Sequence, residues 1–465
     1  MDFLIGGLPR GGTTITADLF NYHPDAYCLA QESQVLPICM RLADSAPVAP
    51  DKVEAVRAVI TRDINHVLHD MAAHNVAKNP GANVAATASA GVKTGGLPQR
   101  LIFDEARVKR FSDKLGDMLE AGLYGKDLLV RSLAVLETEI RKDVGARFIG
   151  EKSPANIFAI SRFGLLGSRV AVIMKREPFA FMKSMRQLAG AVDSRFAGAF
   201  RKSVWEMIGM YGEYAASIAA LTPSPSLIVA DYVDLIAAPT TMAARMFDAA
   251  GLPKNAEAAE RAAAAVRPPS GRPSWEAFNP DERALIWRLT AQSRKSVGHT
   301  QGYYETRGMA SEPYGGNYAV TANMAHNVAG FEPAGGPGNL WLGECGQLAL
   351  ETKPECKRVI LSFWASFPEA IVPAGKSATI DIFAGVQESK VASVEILGGA
   401  ARNVSVSVNL LDMPPDLQSA SGAVRLLKLR SSHSHKPVSL PASITGQGKI
   451  GASLRSAILR PLVFE

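Results

Sequence analysis

The sequence predicts a two-part chain: an α/β region built on a P-loop-like parallel sheet flanked by helices, followed by an all-β sandwich or jelly roll. Three observations carry this reading. Short apolar runs alternate with helical spacing over roughly the first 300 residues, and a glycine-rich turn joins the first run to the first helix. After about Gly308 the pattern changes to short β-branched segments bounded by Pro, Gly, Asn and Ser. At 465 residues, 47% hydrophobic and 20% charged, the chain is too long for one ordinary domain and can bury two cores. The division falls at 1–308 and 309–465.

In the first region Phe3-Leu4-Ile5, Arg147 to Gly150, Arg169 to Lys175 and Ser226 to Ala230 are the strands. Each is short, apolar and followed by a helical pattern, as in a parallel sheet covered on both faces. Helical spacing runs over Thr14 to Tyr22, Lys52 to Ala77 and Glu105 to Ala121. Asn79 to Gly96, rich in Gly, Ala, Asn and Thr, reads as a loop. In the second region Arg358 to Ala365, Ala378 to Ala384, Lys390 to Leu397, Asn403 to Leu410 and Ala423 to Arg430 are the strands of the sandwich. Trp341 and Trp364 read as sandwich core, with a sugar-stacking platform as the other reading.

A net charge of +6, from 50 Lys+Arg against 44 Asp+Glu, has no run of one sign. It suits an anionic small molecule or a glycan and argues against nucleic acid, which wants a concentrated basic face. Cys28, Cys39, Cys345 and Cys356 form no C-x-x-C pair, and His66, His69 and His74 have no companion carboxylate or Cys to complete a ligand set, so no metal is expected. No window reaches the ~18 apolar residues of a membrane span. With no basic and apolar leader before Gly6-Gly7, the expected compartment is the cytoplasm.

The chemistry begins at Gly7-Leu8-Pro9-Arg10-Gly11-Gly12-Thr13-Thr14, where the first strand turns into the first helix. The spacing is that of a P-loop, but Thr13 stands where that motif requires Lys. Backbone N–H groups of such a turn converge on an anion at a helix N-terminus, where the peptide dipoles also favour negative charge. Thr13 and Thr14 add hydroxyls, and Arg10 adds a forked cation suited to oxyanions. Without the bridging Lys, and with no Asp ending an apolar strand to hold Mg²⁺, NTP hydrolysis is poorly supported.

This loop resembles the Pro-Arg-Ser-Gly-Thr-Thr signature of the sulfotransferases that use 3′-phosphoadenosine 5′-phosphosulfate (PAPS), with Gly11 in place of Ser. The resemblance implies that Arg10, Gly11, Gly12, Thr13 and Thr14 grip the 5′-phosphosulfate. The family's second signature is an apolar strand ending in Arg, followed eight residues later by Ser. Val170 to Arg176 and then Ser184 keep that interval, which implies that Arg176 and Ser184 bind the 3′-phosphate. Glu151-Lys152-Ser153-Pro154 resembles the Lys-x-Pro segment that lays Lys152 against the sulfuryl group. Ala230 to Leu235 is similar to the family's Tyr-Glu-Asp-Leu stretch and is mostly scaffold. Arg267 to Trp275 resembles the late basic loop over the nucleotide, with Arg267, Ser270 and Arg272 as 3′-phosphate ligands; a surface linker is the other reading.

Within the superfamily the layout His23-Pro24, then Gln31-Glu32-Ser33, is similar to the tyrosylprotein and bacterial glycan branches, which implies Glu32 as the base. His23 is the rival base, although its place before Pro24 suits a turn. On this reading Glu32 takes the acceptor proton, while Lys152 and Arg10 stabilise the migrating sulfuryl and the departing phosphate. The Phe331 to Trp341 stretch and the closing Gly448 to Leu454 resemble an all-β module of bacterial enzymes that build surface polysaccharides, which implies a glycan acceptor. A P-loop kinase or NTPase, and a glycan-binding protein with an inactive transferase domain, are the competing functions.

Overall fold

A computed structural model describes residues 1–29, 32–43, 53–65, 103–191, 201–266, 274–306, 324–333, 340–369, 371–384, 388–411, 413–419, 421–433 and 458–464. The chain forms two compact units, Met1–Arg176 with Tyr214–Gly271, and Glu177–Glu213 with Arg272–Glu465.

The first unit is built on strands β1 (Phe3–Gly7), β2 (Ala26–Cys28), β3 (Phe148–Lys152), β4 (Val170–Lys175) and β5 (Leu227–Asp231). They form one parallel sheet in the order β2-β3-β1-β4-β5. The central strand β1 is buried at every position, as the unbroken apolar run predicts for a strand covered on both faces. Helices Thr13–Asn21, Asn156–Phe163 and Pro239–Ala249 are among those that flank it. The expected helices over Lys52 to Ala77 and Glu105 to Ala121 are described as Val53–Asn65 and Glu105–Glu120. The Asn79 to Gly96 loop and His66, His69 and His74 lie outside the described residues.

Aromatic packing sets the sheet's spacing. Phe3 stacks on Phe20 of the first helix with ring centroids 4.0 Å apart, and both side chains are fully buried. Each such burial stabilises the fold by roughly 1.5–3 kcal/mol. On the neighbouring strand Gly150 pairs in register with Phe3, and a Cβ there would stand 1.9 Å from the Phe3 ring. No side chain can occupy that place without moving the ring.

The second unit holds helix Pro178–Ala191, helix Pro280–Leu289 with its Asn279/Glu282 capping box, and an antiparallel nine-stranded sheet. Its strands are β6 (Met324–Pro333), β7 (Leu340–Thr352), β8 (Arg358–Ser366), β9 (Ser377–Ala384), β10 (Ser389–Leu397), β11 (Ala401–Asn409), β12 (Leu417–Ser419), β13 (Gly422–Ser431) and β14 (Ile458–Phe464). The main path runs β10-β9-β13-β7-β14-β8-β11, with β12 on β13 and β6 on β7. Consecutive strands β10 and β11 thus end the path on opposite sides, yet side chains from both ends, including Val394, Ile396, Val404 and Val408, share one core. The sheet folds back on itself as a sandwich around that core. Burial alternates along β8, so Leu361, Phe363 and Ala365 enter the core. Trp364 falls on the other face and is only half-buried, which corrects its reading as core; the side chain of Trp341 lies outside the described residues. Among the described residues no helix is long and apolar enough to cross a membrane.

The Gly150–Phe3 contact gives a direct expectation. Gly150→Ala overpacks the sheet and costs roughly 1–3 kcal/mol, and adding Phe3→Leu recovers part of the loss because both changes act on one space. Denaturant unfolding of the wild type, both single variants and the double variant measures this; strictly additive losses would contradict it.

Candidate active site

The first turn after β1 is shaped by backbone approaches that exclude side chains. At Gly7, with φ +118°, a Cβ would lie 2.1 Å from the Met174 carbonyl oxygen of β4, and the next amide, Leu8, donates to that same carbonyl at 2.9 Å. Gly11 is hemmed in by the Leu8 carbonyl, and Gly12, at φ +99°, by the Tyr232 ring. Gly12 forms the N-terminal boundary of helix Thr13–Asn21 in a left-handed conformation, and no side chain caps the helix. Its first amides and its dipole therefore remain directed at the loop. Thr13 is buried at that start and Thr14 is exposed.

Arg10 is exposed and has φ 58°, a left-handed backbone that costs a non-glycine residue roughly 1–3 kcal/mol and that surrounding contacts must enforce. Arg176, just past the end of β4, supplies one such contact. Its Nη1 donates to the Arg10 carbonyl at 2.6 Å, and its guanidinium lies 4.1 Å from the centre of the Tyr232 ring. Tyr232 thus supports both Gly12 and Arg176, although its sequence marked it only as scaffold. Asp231 ends the apolar strand β5, which corrects the expectation that no Asp does so; its carboxylate is used in the turn, capping the helix that Tyr232 begins by accepting from the Val233 amide.

Lys152 closes β3 and is 3% exposed. Its Nζ lies 3.5 Å from Oε1 of Glu32, whose side chain is 40% exposed. The Glu32 carboxylate also acts electrostatically on Arg10. Arg10, Glu32 and Lys152 are therefore gathered at one place, although they are separated in sequence by up to 142 positions, from Arg10 to Lys152.

A network that sequence reasoning did not single out holds this arrangement. Glu151, wholly buried one residue before Lys152, accepts from Ser33 Oγ at 2.6 Å and from Asn156 Nδ2. Burial pushes its carboxyl up, while the Ser33 and Asn156 hydrogen bonds and the Lys152 charge oppose that shift. Asn156 also donates to the Ile5 carbonyl of β1 at 3.0 Å, and Ser33 Oγ accepts from the Val35 amide at 3.2 Å. Gln34, another non-glycine residue with positive φ (56°), turns its amide Nε2 to Glu32 Oε2 at 2.8 Å and to Ser153 Oγ at 3.3 Å. The loop carrying Glu32 is consequently stitched to β3, and through Asn156 to β1.

Ser184 lies half-buried on helix Pro178–Ala191, in the second compact unit. Arg267, Ser270 and Arg272 lie outside the described residues. His23 is fully buried. Its Nδ1 accepts from the Asp25 amide at 3.2 Å, which makes Nε2 the protonated nitrogen donating to the Pro253 carbonyl at 2.9 Å. Both ring nitrogens are occupied in the turn. Among the described residues no group of three His, Cys, Asp or Glu could hold a metal ion.

Taken together, the geometry offers an uncapped helix start behind a glycine-lined loop, with a buried cation beside a partly exposed carboxylate. Such a site can bind an oxyanion, stabilise charge on a transferred group and accept a proton. No curated protein matches the chain. Among solved structures it is similar to the sulfotransferase domain of the Synechococcus PCC 7002 olefin synthase, at 12% identity over 66% of this chain and 94% of that one, with a TM-score of 0.35. It is likewise similar to the sulfotransferase STF9 from Mycobacterium avium, at 13% identity over 63% and 76%, TM-score 0.33. A carbohydrate-binding module, CBM36 in complex with calcium and xylotriose, aligns at 11% identity with 30% of this chain and 99% of its own, TM-score 0.16. The sulfotransferase family matches residues 2–256, more than half of the sequence, in the same span that supplies the loop, Lys152, Glu32 and Arg176; the chain belongs to the sulfotransferase family.

Proposed function

We propose that this protein transfers a sulfuryl group from PAPS to a hydroxyl of a carbohydrate and releases 3′-phosphoadenosine 5′-phosphate. The observation that carries this reading is the Lys152–Glu32 pair, 3.5 Å apart and within electrostatic reach of the Arg10 loop. A migrating sulfuryl needs a cation, and an attacking hydroxyl needs a base; the pair supplies both. The transferase region is assigned to 1–308 and an accessory β domain to 309–465.

In the reaction the acceptor oxygen forms a bond to sulfur as the bond from sulfur to the 5′-phosphate oxygen breaks. Glu32 receives the acceptor proton, held in orientation by the Gln34 amide on its other oxygen. Lys152 shifts from Glu32 toward the charge spread over the sulfuryl oxygens, which releases the carboxylate to act as base. Amides of residues 12–14 and the Arg10 guanidinium receive the 5′-phosphate that departs, while the Gly11 amide is held by the Leu8 carbonyl at 2.9 Å. The sequence resemblance alone assigns the 3′-phosphate to Arg176 and Ser184, with Arg267, Ser270 and Arg272. Thr13 stands where an NTPase carries its phosphate-bridging Lys, so a kinase reaction lacks its central cation. The glycan acceptor rests on the β domain's resemblance to modules of polysaccharide-building enzymes.

Two measurements test the assignment. Transfer of labelled sulfate from PAPS to a panel of oligosaccharides should be detectable, and Glu32→Gln should lower turnover about 100- to 10,000-fold while donor affinity stays near wild type. Wild-type turnover in that variant removes Glu32 as the base, and sulfation of phenols or tyrosyl peptides alone removes the glycan acceptor. Ser33→Ala leaves the buried Glu151 with one fewer donor, so it should cost about 1–3 kcal/mol of stability and also lower kcat, with donor affinity little changed. An unchanged kcat would contradict the role of the network in placing Glu32.

A further inference from the structure

The second compact unit contains a cleft of about 310 Å³, lined by Trp287, Arg294, Lys295, His299, Thr300 and Gln301 among others. This is near the lower end for small-molecule pockets, roughly 300–1,000 Å³. Arg294 is 6% exposed, and its charge has an unusual environment. The guanidinium sits 3.5 Å from the centre of the Trp287 ring and 5.5 Å from that of Tyr304. Its Nε donates to Thr290 Oγ1 at 3.3 Å and one Nη to the Trp287 carbonyl at 2.9 Å. Among the described residues no carboxylate pairs with it.

Nearby acids are committed elsewhere. Glu177 accepts from Ser274 and from the amides of Phe179 and Ala180, and Glu305 accepts from Gln301. His299, 1% exposed, meets the Tyr211 hydroxyl through Nδ1 at 3.1 Å. Lys295 stands exposed at the mouth. A buried arginine without a carboxylate is costly unless something supplies the counter-charge, and π faces and neutral oxygens supply only part. Stacking holds the guanidinium plane and the two hydrogen bonds take up its Nε and one Nη2 donor, which leaves the Nη1–Nη2 end for a tetrahedral oxyanion.

We propose that this cleft, built from other residues than the donor loop, is an oxyanion-binding site that takes a sulfate or phosphate group carried on a small polar molecule such as a sugar. Arg294 holds the oxyanion through its Nη1–Nη2 end, Lys295 adds the second cation, and the Thr300 hydroxyl and the Gln301 side-chain oxygen offer polar contacts to the attached group. The inference does not depend on Glu32 or on PAPS.

Calorimetric titration of the full chain with glucose 6-sulfate, glucose 6-phosphate, sodium sulfate and glucose tests it, each with 3′-phosphoadenosine 5′-phosphate present to fill the donor loop. The expected result is one site for the charged probes and none for glucose. Arg294→Lys, which keeps the charge but loses the fork, and Lys295→Gln, at an exposed position, should each weaken binding about tenfold or more. An ester binding more tightly than sulfate assigns the site to an esterified sugar, and the reverse to the free ion; either supports an oxyanion site. Absence of binding, binding of glucose alone, or affinity unchanged in both variants overturns the proposal. If the 3′-phosphorylated nucleotide itself fails to bind, the donor reading fails, while the two variants still decide this one.

Discussion

The carboxylate of Glu151 has no contact with water, and the active site depends on how that charge is satisfied. Ser33 and Asn156 each give it a hydrogen bond, and Lys152 stands next to it in the chain. Because Ser33 directly follows Glu32, satisfying the buried charge also places the proposed base. Because Asn156 also grips β1, the same hydrogen bonds tie that base to the strand that launches the loop. A buried carboxylate stripped of donors is expensive, so the fold and the site are held by one requirement.

The loop works through a second constraint, the closeness of backbones. Gly7, Gly11 and Gly12 admit approaches that a Cβ would block, and two of them adopt backbone angles that L side chains rarely take. This leaves amides and the start of a helix facing the site. Positive potential therefore comes first from peptide groups, with Arg10 and Lys152 adding full charges. Arg176 has a structural part here as well, since its bond to the Arg10 carbonyl and its stack on Tyr232 brace a strained turn.

Much of the fold was legible in the sequence because buried parallel strands are plain apolar runs. β1, β3, β4 and β5 lie at their expected places, with ends displaced by one or two residues. The three-residue β2 and β12 are too short to carry a period, and β6, β7 and β14 were missed as well. β7 has glycines at 343 and 346 within it, and β6 mixes His326, Asn327 and Gly330 with its apolar residues, so neither alternates cleanly. Arg10, Lys152 and Glu32 stand out as candidates from motif order, and the fold brings Lys152 within 3.5 Å of Glu32. Ser33, Glu151 and Asn156 do not, since each is an ordinary residue type and the Ser33–Glu151 contact spans 118 positions. The positive φ of Gln34 has no sequence signature at all, and only the fold shows its amide reaching both Glu32 and Ser153.

On the proposed reading, the loop and its surroundings select a 3′-phosphorylated adenine nucleotide without needing a metal. Calorimetric titration with 3′-phosphoadenosine 5′-phosphate, ADP and ATP, each with and without Mg²⁺, addresses it most directly. The expected result is tight binding of the 3′-phosphorylated nucleotide that Mg²⁺ leaves unchanged, and weak binding of the other two. Preference for ATP in the presence of Mg²⁺ would contradict it and point to a kinase-like enzyme.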